Sequence, residues 1–249
     1  MNRKKSGLSQ IYASILVNAI FAMVNYPIVL VSTILAPFSL LIVITFVSHG
    51  TLLPVAISGA LIMTMITSGT SMQQDLSHLK NDFKLQDMIV SSPTTPAAYL
   101  LGMALSEVVY SAPALIVLIA LTALYVHVTA IGALTMAAVV IIMFIFASSL
   151  GFFLSTLSSD VVQGWAFGGI VSTILSALPP VYYPITYIPM PWQYLAYFSP
   201  ATYAAEIMQN TVGLTHFSGA TMLADWSVII IVSSAMLYLA VKRAKWREN

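Results

Sequence analysis

Long apolar stretches separated by a few short polar segments make up most of this chain. No Asp, Glu, Lys or Arg occurs between Lys5 and Asp75, and none occurs between Glu107 and Asp160. About 20 apolar residues are enough to cross the hydrocarbon core of a bilayer, whereas a soluble helix needs a charged outer face. The pattern therefore predicts an all-α, multi-pass membrane protein, with residues 1–249 forming a single transmembrane domain.

The apolar stretches predict six transmembrane helices. They lie near residues 24–47, 52–73, 98–126, 130–157, 161–182 and 221–241. Pro37 is expected to break the first of them. In the fifth, Gly164 and Gly168 form a Gly-x-x-x-Gly pair that lets two helices approach closely and gives weak support for a dimer.

Residues 6–21 alternate polar and apolar positions at helical spacing. This alternation favours an amphipathic helix that lies on the membrane surface. The alternative is that these residues form the first turns of a tilted first span.

The basic residues fall into three clusters. They are Arg3, Lys4, Lys5, Lys80, Lys84, Lys242, Arg243, Lys245 and Arg247, which is every Lys and Arg in the chain. Six spans place all of them, and both termini, on one side. Positive charge collects in cytoplasmic loops, so the sequence predicts a cytoplasmic-membrane protein with both termini in the cytoplasm.

The sequence lacks the motifs of several enzyme classes. It has no cysteine and no G-x-x-x-x-G-K-[ST], H-E-x-x-H or G-x-S-x-G motif, and its four histidines are far apart. We therefore expect no catalytic residues, no bound metal, no ATP site in this chain and no nucleic-acid partner.

The polar segment 74–97 is predicted to contain a short amphipathic helix. Leu76, Leu79 and Phe83 recur at roughly helical spacing, with charged residues between them. Pro93 and Pro96 are expected to end this helix and begin the third span. Such a helix can rest on the membrane or fit a groove on another protein, but an ordinary interfacial loop is the alternative.

The segment 183–220 is predicted to form short helices that dip into the outer leaflet and return. Between residues 179 and 209 the chain has six prolines, many aromatic residues and a single charge. Prolines prevent one continuous span, and Trp and Tyr prefer the membrane–water boundary. A plain amphipathic loop is the alternative.

These segments together resemble the type 2 permease family of ATP-binding-cassette (ABC) exporters, of the multidrug or daunorubicin type. Motifs typical of that family are Ser92-Pro93, Leu100-Leu101-Gly102, Tyr183-Pro184, Ile188-Pro189, Trp192, Pro200-Ala201-Thr202-Tyr203 and Glu206. The chain departs from the family pattern at Asp82-Phe83-Lys84-Leu85, where a Gly-Thr-Leu-Glu-Arg-like run is usual, and no Arg follows Glu206.

The resemblance implies that two permeases, expected to be identical, pair above two separate ATPase subunits that bind ATP and Mg²⁺. The residues it assigns to ATPase coupling are Leu79, Lys80, Phe83, Lys84 and Asp87. Those it assigns to an outer gate are Tyr183, Pro184, Trp192, Pro200, Tyr203 and Glu206. The pathway at the subunit interface would be lined by Met63, Met65, Thr67, Trp165, Ser172, Thr173 and Ser176.

Because no charge lies among the predicted pathway residues, an amphipathic or apolar substrate such as a drug or lipid-like molecule is favoured. Glu107 is an intramembrane carboxyl that must face a partner or a cavity. It serves either helix packing, or gating and substrate contact. The rival functions are an ATP-independent secondary transporter or channel, and a membrane scaffold subunit without transport.

Overall fold

The computed structural model describes residues 3–81, 96–158 and 160–243, and within these ranges the chain is helical and contains no strand. The prediction of an all-α protein is therefore confirmed for the described part of the chain. Phe83, Lys84 and Asp87 of the predicted coupling segment lie outside these ranges.

In the described ranges the chain forms ten α-helices, with a longer irregular segment before α8. They are α1 (Arg3–Ile15), a π-helical segment (Leu16–Ile20), α2 (Phe21–Asn25), α3 (Ile28–Val47), α4 (Leu53–Asn81), α5 (Pro96–Tyr125), α6 (Ala130–Leu157), α7 (Val161–Ala177), α8 (Gln193–Ala196), α9 (Pro200–Thr211) and α10 (Gly219–Arg243). A single 3₁₀ turn, Ile185–Tyr187, precedes α8.

Five helical stretches in the described ranges are long and apolar enough to cross a membrane. They are Gly7–Asn25, Leu53–Ser77, Ala98–Tyr125, Ala130–Leu157 and Gly219–Lys242. Two shorter apolar stretches, Thr33–Val47 and Val162–Ala177, also occur. The chain is therefore a multi-pass membrane protein. Four of the five long stretches correspond to the predicted second, third, fourth and sixth spans. The fifth, Gly7–Asn25, coincides with the predicted surface helix, and the predicted first and fifth spans contain only the two shorter stretches.

The N-terminal helical run is longer than the predicted surface helix and packs with its polar side inwards. Asn18 Nδ2 donates to Met103 Sδ of α5 at 3.4 Å. A Cβ on Gly102 would lie 2.7 Å from Ser14 Cβ, so the glycine permits this contact. Apolar side chains such as Leu8 and Tyr12 are exposed on the opposite side, which suits a helix whose outer face contacts lipid.

Three predicted boundaries need correction. α3 runs through Pro37 without a break, because membrane helices tolerate proline when neighbouring groups satisfy the freed carbonyl. α4 continues to Asn81, so residues 74–81 extend the second span and are not a separate loop. α7, which contains the fifth predicted span, ends at Ala177 and not at residue 182, because Pro179 and Pro180 follow.

α4 is the central helix of the bundle. It contacts α3, α5, α6, α7 and α9, and 83% of its most apolar stretch is buried. At its crossing with α6, a Cβ on Gly151 would lie 2.5 Å from Gly69 O, and a Cβ on Gly69 would lie 2.5 Å from Ser148 N. The two glycines therefore let the helix backbones touch.

The segment between α7 and α10 packs onto the end of the bundle where α4 begins. α9 contacts α4, α6 and α10. A Cβ on Gly59 of α4 would clash with the carbonyl group of Val181. Gln209 Nε2 of α9 donates to both Pro180 O and Tyr183 O at 2.9 Å. Irregular backbone at this depth is thus covered by protein and hydrogen-bonded, as a membrane environment requires.

Candidate functional site

The C-terminal half of α4 is polar although it lies inside a membrane bundle. Its polar residues are Thr64, Thr67, Ser68, Thr70, Ser71, Gln73, Gln74, Asp75 and Ser77. Several hydroxyls donate to carbonyls one turn back in α4, as Thr64 does to Ala60 O at 2.7 Å. These bonds satisfy the hydroxyls within the helix and leave the amides and the carboxyl to bond neighbouring helices.

α7 docks on this half of α4 through small and polar residues. Gln73 Nε2 donates to Gly164 O, and Thr70 Oγ1 lies 3.2 Å from Ser172 Oγ. A Cβ on Gly168 would clash with Gln73 Oε1. The Gly164–Gly168 pair therefore does bring two helices close together, but both belong to the same chain, so it gives no support for a dimer.

Glu107 of α5 is bound to the opposite side of α4. Ser71 Oγ donates to Glu107 Oε2 at 2.8 Å, and Ser68 Oγ donates to the backbone oxygen of Glu107 at 3.0 Å. The Asp75 carboxyl, one turn further along α4, is also within hydrogen-bonding reach of Glu107. The side chain is 6% exposed, so it joins α4 to α5 and does not face open lipid.

Glu107→Ala is expected to lower the free energy of unfolding by about 1–3 kcal/mol, because it removes interhelical hydrogen bonds and leaves a cavity. Glu107→Gln keeps an acceptor for Ser71 and gains a donor for Asp75, so its stability should match that of the wild type. Thermal unfolding of all three proteins in one detergent measures this. A glutamine variant as unstable as the alanine variant would show that the hydrogen bonds are not the cause.

One side of the α4–α7 pair exposes polar groups. Thr67, Gln74 and Asp75 are exposed on α4, and Thr173 is exposed on α7. Thr67 and Thr173 donate their hydroxyls to carbonyls of their own helices. The exposed amide of Gln74 and carboxyl of Asp75 are therefore the groups that suit lipid least, and such groups normally face a partner helix or a wet cavity. We call these four residues the polar strip.

The predicted pathway residues divide between this side and the core. Met63 and Met65 are buried in the chain's own core. Thr67 and Thr173 belong to the polar strip, and Trp165 of α7 is 58% exposed. Ser172 and Ser176 are half-buried, and Ser176 Oγ donates to Thr173 O at 3.1 Å.

The predicted outer-gate residues lie in the segment that covers the far end of the bundle. Pro184, Pro200 and Glu206 are buried, Tyr183 and Tyr203 are half-buried, and Trp192 is exposed.

Glu206 is the buried carboxyl of this segment. Tyr197 donates its hydroxyl to Glu206 Oε1 at 2.9 Å, and the rings of Tyr197 and Tyr203 lie 5.6 Å apart. Asp225 of α10 is near enough to interact with Glu206. Its Oδ2 atom is buried and has no hydrogen-bond partner in the described part of the chain. Burial raises the pKa of Glu206, and the bond from Tyr197 lowers it by less.

The raised pKa of Glu206 predicts a pH-dependent stability. An ordinary glutamate titrates near pH 4.5. Below that pH both folded and unfolded chains carry the proton, so the fold keeps its full stability. As pH rises through the raised folded pKa, the fold must bury a charge and loses stability. Thermal unfolding from pH 4 to pH 8 should therefore show Glu206→Gln gaining stability relative to the wild type as pH increases. A difference that stays constant with pH would contradict this prediction.

Two of the five predicted coupling residues belong to the end of α4. The backbone of Leu79 and Lys80 is helical and continues α4 towards Asn81. Because α4 contacts five other helices, any displacement of its last turn acts directly on the centre of the bundle.

The sequence matches the ABC-2 type transporter family over residues 7–212, which includes every helix from α2 to α9. The chain belongs to the ABC-2 type transporter family. It is thus a membrane subunit of an ABC transporter and works with ABC ATPase subunits. The comparison with curated protein sequences finds no match.

Some contacting residues of this ABC-2 permease were not predicted. Gln73 joins α4 to α7, Gln209 holds the irregular segment, and Tyr197 bonds Glu206. The density of Ser, Thr and Gln between Thr64 and Ser77 is a signal in the sequence that points to the first of these. For Gln209 and Tyr197, ordinary polar residues in a mixed segment, the sequence offers no comparable signal.

Proposed function

We propose that this chain is one of two permeases in an ATP-driven exporter of an amphipathic or apolar molecule, with two ATPase subunits beneath them. The polar strip is the observation that carries the proposal. The Gln74 amide and the Asp75 carboxyl are exposed on it, and a second permease or a water-lined pathway would provide them with polar partners. Asp75 is its single charge, and Trp165 lies on the exposed face of the adjoining α7, so the surface suits a drug or lipid-like substrate.

Six spans fit the charge distribution better than seven. We take them as α3, α4, α5, α6, α7 and α10, with the run from α1 to α2 lying along the membrane face. If the N-terminal run also crossed, Arg3, Lys4 and Lys5 would lie opposite the other basic clusters, against the tendency of Lys and Arg to stay in the cytoplasm. With six spans both termini and the predicted coupling segment are cytoplasmic.

The mechanism that follows is a two-state switch of the permease pair. ATP binding closes the ATPase subunits, and the predicted coupling segment transmits the movement to the end of α4. A ligand shifts such an equilibrium only through different affinities for the two states, and here ATP bound to the partner subunits provides that difference. The segment between α7 and α9 would close the outer end of the pathway.

Affinity purification in mild detergent tests the assembly. A tagged chain should retain, in a stoichiometric amount, a protein that has a P-loop and hydrolyses ATP. Recovery of a well-folded chain alone, without ATPase activity, would instead support an ATP-independent transporter or a scaffold subunit.

Cysteine crosslinking tests the interface. Because the sequence has no natural cysteine, each single-cysteine variant can crosslink only through the introduced residue. Thr67→Cys, on the polar strip, should crosslink two permeases in native membranes under mild oxidation. Leu124→Cys, also exposed but on α5 and outside the strip, is the matched control and should not. Crosslinking by the control and none by Thr67→Cys would place the interface elsewhere.

A further inference from the structure

A second exposed surface of the bundle is an apolar groove, which lies between α5, α6 and α10. Its volume is about 320 Å³. Its walls are formed by Leu101, Leu105, Ile145, Phe152, Leu237 and Val241, and Met72 of α4 forms part of its floor. Leu101 and Val241 are both more than half exposed, so the groove opens towards the surrounding membrane.

The contents of this groove must be hydrocarbon. Among the described residues that line it, only Ser148 and Ser149 carry hydroxyl groups, and Ser148 Oγ already donates to Phe144 O at 2.7 Å. Water needs two to four polar partners, which these walls do not offer. An empty gap would forfeit the dispersion contacts of every side chain around it. The polar strip, whose Gln74 and Asp75 suit a protein or aqueous partner, is made by α4 and α7 and not by the helices of the groove walls.

Positive charge lies at one end of the groove. Val241, in the wall, is followed directly by Lys242 and Arg243, and Lys245 and Arg247 come next in the sequence. Lys242 is exposed, and its Nζ atom lies 5.7 Å from the centre of the Tyr238 ring. Basic clusters immediately beyond a transmembrane helix attract anionic lipid head groups.

We propose that this groove binds one acyl chain of an anionic phospholipid whose phosphate contacts Lys242. The acyl chain would fill the space between α10 and α5, at the end of the bundle where α10 ends. The bound lipid is a structural ligand, distinct from any transported substrate, and the inference does not depend on which molecule is exported.

Native mass spectrometry of the delipidated protein tests the site. Dioleoyl phosphatidylglycerol and dioleoyl phosphatidylcholine, which differ only in head group, are added separately. The wild type should retain phosphatidylglycerol at lower lipid concentration than phosphatidylcholine. Lys242→Gln should weaken phosphatidylglycerol binding about fivefold and leave phosphatidylcholine unchanged, because one basic residue near a membrane surface contributes roughly that factor.

A groove-filling variant tests the acyl-chain part of the site. Leu105→Trp projects a ring into the groove and should reduce retention of both lipids. Leu124→Trp makes the same change on the same helix at a position 71% exposed and outside the groove, and should bind lipid as the wild type does.

Three results would overturn the proposal. Equal binding of both lipids by the wild type would remove the role of charge. Unchanged lipid retention by Leu105→Trp would place the lipid elsewhere. Loss of a second copy of the chain from the Leu105→Trp spectrum, with lipid retention unaltered, would make the groove a contact between protein subunits.

Discussion

Gly151→Ala is expected to destabilise the bundle, although alanine is the better helix former. Helix propensity alone predicts a gain of up to about 1 kcal/mol for this change. The new Cβ, however, would lie 2.5 Å from Gly69 O and 3.4 Å from Gln73 N. Both are backbone atoms of the central helix and cannot rotate away. Overpacking of this kind costs about 1–3 kcal/mol, so thermal unfolding in detergent should show a clear loss.

Gly169→Ala in α7 is the matched control for this prediction. No atom lies within 4 Å of a Cβ built at Gly169, so only the propensity effect remains and the variant should equal or exceed the wild type. The two substitutions are chemically identical and should have opposite signs. A loss of the same size at both positions would show that the contact between α4 and α6 is not the cause.

The opposite effects expected at Gly151 and Gly169 show why the sequence predicts the helices better than it predicts their packing. The apolar stretches locate α3 to α7 and α10 because each must satisfy its backbone internally while crossing the membrane. They do not reveal that α4 is central, because lipid tails and neighbouring helices are equally apolar surroundings. Gly69 and Gly151 are 82 positions apart in the sequence, and nothing local indicates that they meet.

The candidate site was predictable only in part, because polar residues stand out in an apolar sequence but their partners do not. The carboxyls Glu107 and Glu206 stand out in an apolar sequence, and both are buried and hydrogen-bonded. Met63 and Met65 were predicted for the pathway because methionine suits adaptable cavities. Methionine equally suits a core, and these two are buried in the core of the chain. Polarity in a span was therefore more informative than side-chain adaptability.

The structure links the predicted coupling segment to the polar strip through one helix. α4 continues without a break from Gly59, where it meets Val181, past its glycine crossing with α6, to Asn81. Its contacts with α6 and with α7 both depend on glycines that admit the neighbouring helix. A displacement of the last turn of α4 would therefore act on both contacts.

Phe83→Asp is expected to uncouple ATP hydrolysis from the permease while leaving the permease folded. Phe83 lies outside the described residues, two positions beyond the end of α4 in the sequence. An aromatic side chain among charged neighbours is suited to fill a pocket on a partner protein, and such buried aromatic anchors carry much of the binding energy at interfaces. A carboxylate cannot enter an apolar pocket without losing its hydration. The tagged variant should retain less ATPase, and the reconstituted complex should lose most of the ATPase stimulation by the permease.

Phe83→Leu is the control that separates this role from damage to the fold. Leucine keeps an apolar side chain at position 83, so it should retain most of the bound ATPase. All three proteins should unfold at the same temperature, because position 83 follows the last described turn of α4 in the sequence and none of the described packing contacts involves it. If the Phe83→Asp complex keeps wild-type ATPase stimulation, then Phe83 is not the docking residue. Leu79 and Lys80, at the described end of α4, are then the next residues to vary, followed by Lys84 and Asp87.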